Sequence, residues 1–186
     1  KIKADIYINC SSSEVYSMAS WKKGGVKESD PVLFSTAEHT MRTSYAAGKL
    51  LTEFFLLDAV NKGLIKGCSI RFANVYSDKE LYSKHIIPYI IKSFSENEEI
   101  VLLENARFTK RTFLHNYDSC SAIISLINNT DSLDGSIYNV GTIEEIKILD
   151  LVDMIASEMN IINYNIIYKG SRSSDPLRRL LNIDKI

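Results

Sequence analysis

Apolar residues along this chain follow two different spacings. Asp5-Ile6-Tyr7-Ile8-Asn9-Cys10 and Lys66-Gly67-Cys68-Ser69-Ile70-Arg71-Phe72 are short β-rich runs, each ending in small polar residues, Ser11-Ser12-Ser13 and Ala73-Asn74. Both predict strands. Between them, over about 42–61, Leu50, Phe54, Leu57 and Val60 recur at helical spacing, with Gly63 just beyond as a stop. A strand, a long helix and a second strand form a βαβ unit, whose handedness makes the two strands parallel. The class is α/β. Farther on, the pattern predicts a helix over 85–94 and strands over 100–103 and 111–114. Asn116-Tyr117-Asp118 opens a helix to Ile127, 137–140 reads as a strand, and Thr142-x-x-Glu145 is a capping box before Ile146, Leu149, Val152 and Ile155. Residues 165–168 close with a strand. Gly24-Gly25 and Gly170-Ser171-Arg172-Ser173-Ser174 mark loops, but no repeat or low-complexity linker divides the chain.

Composition narrows the function classes. With 186 residues and 45% hydrophobic side chains, the chain can bury one ordinary core. A formal charge of -1 offers no electrostatic footprint for nucleic acid or an anionic membrane. The longest strongly apolar stretch, His85 to Ile91, is far short of the roughly 18–20 residues of a spanning helix. Cys10, Cys68 and Cys120 are widely spaced, with no C-x-x-C and no cluster with His39, His85 or His115. That pattern fits a reducing, cytoplasmic compartment and neither a disulfide framework nor a zinc site. The first residue is Lys, and a strand follows almost at once, so the chain is expected to start inside a fold.

In open α/β sheets, ligands sit outside the carboxyl ends of the parallel strands. Ser11-Ser12-Ser13-Glu14 falls there after the first strand and Asn74 after the second. A serine triplet alone reads as a turn or cap, and Glu14 alone as a helix-start charge. Tyr45 and Lys49 stand at i and i+4 on the linking helix, which puts a phenol and an ammonium on one face. A cation beside a phenol favours the phenolate, the form that takes a proton. His85 reads as a packing or surface residue.

Six motifs in order carry a resemblance: Ser11-Ser12-Ser13-Glu14-Val15-Tyr16, Ser44-Tyr45-Ala46-Ala47-Gly48-Lys49, Arg71-Phe72-Ala73-Asn74-Val75-Tyr76, Lys110-Arg111-Thr112-Phe113-Leu114-His115, Tyr138-Asn139-Val140-Gly141 and Asp175-Pro176-Leu177-Arg178-Arg179. From about Tyr7 to Ile183 the chain resembles the extended short-chain dehydrogenase/reductases, the NAD-dependent nucleotide-sugar epimerases, dehydratases and decarboxylases. The resemblance implies the C-terminal part of a Rossmann-like sheet. Residues 1–77 would keep the catalytic helix and 78–186 would mainly bind the nucleotide sugar, with a strand around 137–140 returning to the main sheet.

It also implies roles. Ser12 would bond the sugar 4-hydroxyl, Tyr45 would be the base, and Lys49 would support Tyr45 and hold the nicotinamide ribose of NAD. Ser13 would join Ser12 against the substrate, a UDP-, dTDP- or GDP-sugar. Arg111 and Arg179 would grip its diphosphate, with Asn74 supporting. Glu14 most resembles the acid of the decarboxylases and dehydratases. The family's usual state is a homodimer built on paired helices. The sequence contains no G-x-x-G-x-x-G loop, so the resemblance implies a fragment of a longer enzyme or a cofactor half on another chain. The alternative is a non-catalytic remnant without its own NAD site. Ser17 and Ser77 stand where the family has Gly, and the stretch from Ser17 to Ser44 is long.

Overall fold

The first parallel pair forms where the two β-rich runs predict it. In the computed structural model, which describes residues 4–16, 24–34, 41–80, 82–171 and 175–186, β1 (Ile6–Ser12) leads through α1 (Met41–Asn61) to β2 (Lys66–Phe72). Ser17, His39 and Arg172-Ser173-Ser174 lie outside the described residues. β1 and β2 are parallel, in register from Ile6 opposite Lys66 to Ser12 opposite Phe72. Gly63, at φ +66°, ends the helix as expected. Ser11 and Ser12 finish the strand rather than breaking it, and the turn that follows is a 3-10 helix over Ser13–Tyr16.

The remaining elements are β3 (Asn74–Tyr76), α2 (Ile86–Ser95), β4 (Ile100–Leu102), β5 (Lys110–Arg111), β6 (Phe113–His115), α3 (Asn116–Asn128), β7 (Asp134–Val140), β8 (Ile146–Lys147), α4 (Ile148–Glu158) and β9 (Ile166–Tyr168). β7 pairs with β2, giving a parallel sheet in the order β1-β2-β7. Small two-stranded pairings, β3 with β6, β4 with β9 and β5 with β8, frame the rest.

The two faces of the main sheet differ in chemistry. On one side Ile8, Cys68, Ile70 and Val140 pack with Leu114, Leu126 and Leu133, an apolar layer closed by α3. The other face meets α1, and there the alternation brings Asn9, Ser11, Ser69, Arg71 and Asn139, all buried. A helix laid on such a surface must present polar groups. Glu53 of α1, 3% exposed, receives Nε and Nη2 of Arg71 at 3.0 and 2.7 Å and the Ser11 hydroxyl. Thr52 reaches Asn9, and Lys49 donates to the Cys10 carbonyl at 2.7 Å. Arg71 lies 4.7 Å from the ring centre of buried Tyr16, whose hydroxyl donates to Asn139 at 2.7 Å. Burial alone would lower the Arg71 guanidinium, but its hydrogen bonds to Glu53 and the charge of that carboxylate outweigh it and hold the group above its ordinary value.

Three expectations change here. The stripe Leu50, Phe54, Leu57 and Val60 is not the buried face of α1. Ala46, Glu53 and Leu56 are buried, whereas Phe54 is 58% exposed beside exposed Leu51 and Phe55. The polar sheet face selects small and charged residues from the helix, which leaves the apolar stripe partly outside. Residues 111–114 are not one strand either. Buried Thr112 is the crossing point between β5, which pairs with β8, and β6, which pairs with β3. Nor do Thr142 and Glu145 cap a helix. Ile146 and Lys147 are drawn into β8, α4 begins at Ile148, and Glu145 instead takes Arg178 through contacts of 2.5 and 2.6 Å. A forked charge-assisted pair outcompetes a single backbone cap. A second apolar cluster, centred on Ile90, Ile100 and Val152, joins α2, β4 and α4. Among the described residues no helix is long and apolar enough to cross a membrane.

Breaking the Arg71–Glu53 pair on one side strands a buried charge. Arg71→Met should cost about 3–5 kcal/mol in urea unfolding, and the double change with Glu53→Leu should recover most of it. A double variant no more stable than the single one would show that the two side chains are not coupled.

Candidate functional site

The cleft of this molecule opens where the parallel strands end. Ser11 and Ser12 close β1, Phe72 closes β2, Ala73 and Asn74 follow it, and these five residues form one wall of a cavity of about 850 Å³. The first turns of α1 add Arg42 and Tyr45, and the 3-10 turn after β1 adds Glu14. The opposite wall comes from the α2 and β4 side, with Arg111, Asp175 and Arg179 from the strand and the C-terminal segment that face the sheet. The placement follows from the topology: each strand points its last residues at the same opening.

At the sheet end, Tyr45 is half exposed to the cleft. The Lys49 ammonium sits 5.7 Å from the centre of its ring and is anchored on the Cys10 carbonyl. The Ser12 hydroxyl oxygen accepts the backbone N–H of Glu14 at 3.2 Å, which leaves its own proton to be donated. Ser13, in contrast, is buried and does not line the cleft. Asn74 does line the cleft, but its amide donates to the Thr112 carbonyl at 3.0 Å, which ties the end of β2 to the crossing point between β5 and β6.

On the same cleft, three guanidiniums and two carboxylates interlock. Glu14 takes Arg42 Nε and Nη2 at 2.9 and 3.1 Å, and Arg179 Nη1 also contacts it. Asp175 receives Arg42 Nη1 at 2.7 Å, Arg111 Nη2 at 2.8 Å and Arg179 Nη2 at 3.4 Å, all on Oδ1. Burial pushes the Arg111 guanidinium down to about 10; Asp175 opposes the shift, while Arg179 and Arg42 add repulsion. For Asp175, burial raises the carboxyl, but the charges of Arg111, Arg42 and Arg179 together hold it below its ordinary value. Glu14, in the first turn of the 3-10 helix, is not a free acid, because arginines occupy both of its oxygens.

The structure thus brings Ser12, Glu14, Tyr45, Asn74, Arg111 and Arg179 to one cleft and places Lys49 just behind Tyr45. Sequence reading passed over Arg42 and Asp175. The signal for Arg42 was its position three residues before Tyr45, which is the same helical face. Asp175 opens the Asp175-Pro176-Leu177-Arg178-Arg179 motif, where only the arginine drew attention. His85 borders the cleft in contact with Glu80, and its side chain is 61% exposed, as a surface residue's would be.

Similar proteins share this arrangement of elements. A UDP-glucuronic acid 4-epimerase from Bacillus cereus, solved with UDP-glucuronic acid and NAD, superposes with a TM-score of 0.83 at 21% identity, over 99% of this chain and 55% of its own. A dTDP-glucose 4,6-dehydratase from Streptomyces venezuelae, solved with NAD, gives 0.80 at 20% identity over 97% and 52%. A UDP-N-acetylglucosamine 4-epimerase from Methanobrevibacter ruminantium gives 0.78 at 22% over 97% and 55%. The chain spans about half the length of these structures. No curated protein sequence matches it. The model of the NAD dependent epimerase/dehydratase family matches residues 1–141, about three quarters of the chain, and the protein belongs to that family.

Proposed function

We propose that this chain provides the substrate-binding and acid–base machinery for modifying a nucleoside-diphosphate sugar through a 4-keto intermediate, in a reaction of the epimerase, dehydratase or decarboxylase type. The observation that carries this reading is the chemistry gathered on one cleft: a phenol backed by an ammonium, a serine hydroxyl and paired arginines line the same cavity. A sugar joined to a diphosphate has a partner for each.

The residues act as follows. Arg111 and Arg179 bind the diphosphate through forked hydrogen bonds, which fixes the sugar with its 4-hydroxyl toward Ser12 and Tyr45. The Ser12 O–H orients that hydroxyl, and Tyr45, as phenolate, takes its proton. Lys49, anchored on the Cys10 carbonyl, stands 5.7 Å from the centre of the Tyr45 ring and holds the nicotinamide ribose. NAD, when bound, supplies the acceptor for the hydride that leaves C4. The half-exposed Tyr45 and the Lys49 ammonium at the end of β1 fit the nicotinamide-ribose end of that cofactor, while no G-x-x-G-x-x-G loop in this sequence is available for its pyrophosphate. The resulting ketone acidifies C5, or makes a 5-carboxylate a β-keto acid, a step on which Glu14 acts once Arg42 and Arg179 release its oxygens. Exposed Leu51, Phe54 and Phe55 on α1 support a homodimer formed through this helix. A second reading is a non-catalytic module that binds a nucleotide sugar and leaves redox chemistry to another polypeptide.

Both readings predict that the chain binds nucleotide sugars. Titration calorimetry with UDP-glucuronate, UDP-glucose, GDP-mannose and dTDP-glucose should give saturable heat with at least one, weakened roughly 10-fold or more by Arg111→Met. No heat with any of the four would sink the substrate class. The two readings separate on turnover. In the form that carries NAD, Tyr45→Phe should reduce the appearance of NADH absorbance by about 100- to 10,000-fold while leaving the unfolding midpoint and substrate affinity unchanged, since only a hydroxyl is lost. Retained turnover would remove Tyr45 as the base.

A further inference from the structure

Arg42 has no assigned part in this reading, yet it is the arginine nearest the base in sequence, one helical turn before Tyr45 on α1. Its guanidinium spans the cleft. Two of its nitrogens hold Glu14 from the 3-10 turn, and the third reaches Asp175 on the C-terminal segment at 2.7 Å. On Asp175 it meets Arg111 and Arg179, and all three converge on the same atom, Oδ1.

A carboxylate oxygen offers about two acceptor directions, so three guanidinium donors over-subscribe it. The Arg179 contact is the long one at 3.4 Å, and its Nε, buried, has no hydrogen-bond partner among the described residues. The charges do not balance either. Arg42, Arg111 and Arg179 against Glu14 and Asp175 leave one positive charge in a largely buried cluster. Donors left over, a net cation and a single focal oxygen together describe a site built for an anion with more oxygens than one carboxylate turns toward it.

We propose that Arg42 is a third oxyanion-binding residue of this cleft, taking a diphosphate oxygen together with Arg111 and Arg179, and that Asp175 holds that oxygen's place until the ligand displaces it. The inference rests on the substrate class proposed above and adds to it a residue and a competitor. The choice of the diphosphate over a sugar carboxylate follows from the shared atom: whatever replaces Oδ1 must be reached by all three arginines at once. Displacement exchanges one acceptor oxygen for several. It also frees the Asp175 side chain, so that an empty cleft keeps its arginines spread and ordered at the cost of some ligand affinity.

The test uses the whole chain and two probes that carry no sugar, inorganic pyrophosphate and UDP, beside UDP-glucuronate and UDP-glucose, all by titration calorimetry. Arg42→Met should weaken all four by a similar factor, about 10- to 100-fold, the loss expected for one charge-assisted contact. Arg42→Lys, which keeps the charge without the fork, should recover part of that loss, and its intact unfolding transition guards against misfolding as the cause. Asp175→Asn, by removing the competitor and raising the net positive charge, should tighten pyrophosphate and UDP several-fold. Wild-type affinity in Arg42→Met would overturn the inference while leaving the substrate class standing. A loss confined to UDP-glucuronate would overturn it too, since the oxygen at Arg42 would then be the sugar carboxylate. Weaker binding in Asp175→Asn would overturn the place-holder role. A wild-type chain that binds neither pyrophosphate nor UDP would overturn both the inference and the substrate class beneath it.

Discussion

The ion pair between Arg71 and Glu53 fixes where everything in the cleft stands. Helices usually lie on sheets through apolar contacts, which tolerate sliding because one methyl group substitutes for another. Here the sheet face under α1 carries Asn9, Ser11, Ser69, Arg71 and Asn139, and the helix answers with Lys49, Thr52 and Glu53. Each of these contacts has one partner and one distance. Moving the helix by one residue along its axis would unpair a buried charge rather than exchange hydrophobic neighbours, and that penalty far exceeds the gain from any ordinary repacking. The pair is therefore better understood as a register mark than as a source of net stability. Because Tyr45 and Arg42 ride on the same helix, two and three turns ahead of Glu53, the mark also sets how far they reach into the cleft.

A similar logic organises the arginine cluster. Arg111 and Arg179 come from a strand and from the C-terminal segment, Glu14 from a 3-10 turn and Arg42 from a helix. Ion pairs join these four segments, and a backbone bond from Lys110 to the Leu177 carbonyl also ties the strand of Arg111 to the segment of Arg179. Burial is the main reason the Arg111 guanidinium lies below its ordinary value, and its neighbours Arg179 and Arg42 add to the shift. Preorganised donors of this kind bind a polyanion without paying to assemble themselves at the moment of binding.

How much of this was legible beforehand depends on the range of the interaction. The βαβ unit, the limits of β2 and the Gly63 stop are local, set by alternation, propensity and a left-handed glycine, and the sequence pattern carries them. So is the Tyr45–Lys49 spacing, which a helix turns into proximity by geometry alone. The buried face of α1 was not legible, because helical periodicity locates a stripe of Leu50, Phe54, Leu57 and Val60 but cannot reveal that the sheet beneath is polar. Thr142-x-x-Glu145 failed as a cap for a related reason: its glutamate had a stronger partner, Arg178, 33 positions away. Arg111 to Leu114 looked like one strand since nothing local marks Thr112 as the point where the chain changes sheets.

The cleft shows the same division more sharply. Ser12, Glu14, Tyr45, Asn74, Arg111 and Arg179 lie inside recognisable motifs, so their convergence could be expected, whereas Arg42 and Asp175 matter through whom they meet. Their meeting alters the chemistry assigned to the others. Glu14 in isolation is a carboxylate free to accept a proton; held on both oxygens by Arg42 and Arg179, it can do so only as those arginines release it. If a ligand diphosphate draws the arginines toward its own oxygens, the event that seats the substrate is also the event that frees Glu14. Diphosphate binding and the release of Glu14 would then be coupled within one cluster, through the side chains of Arg42 and Arg179.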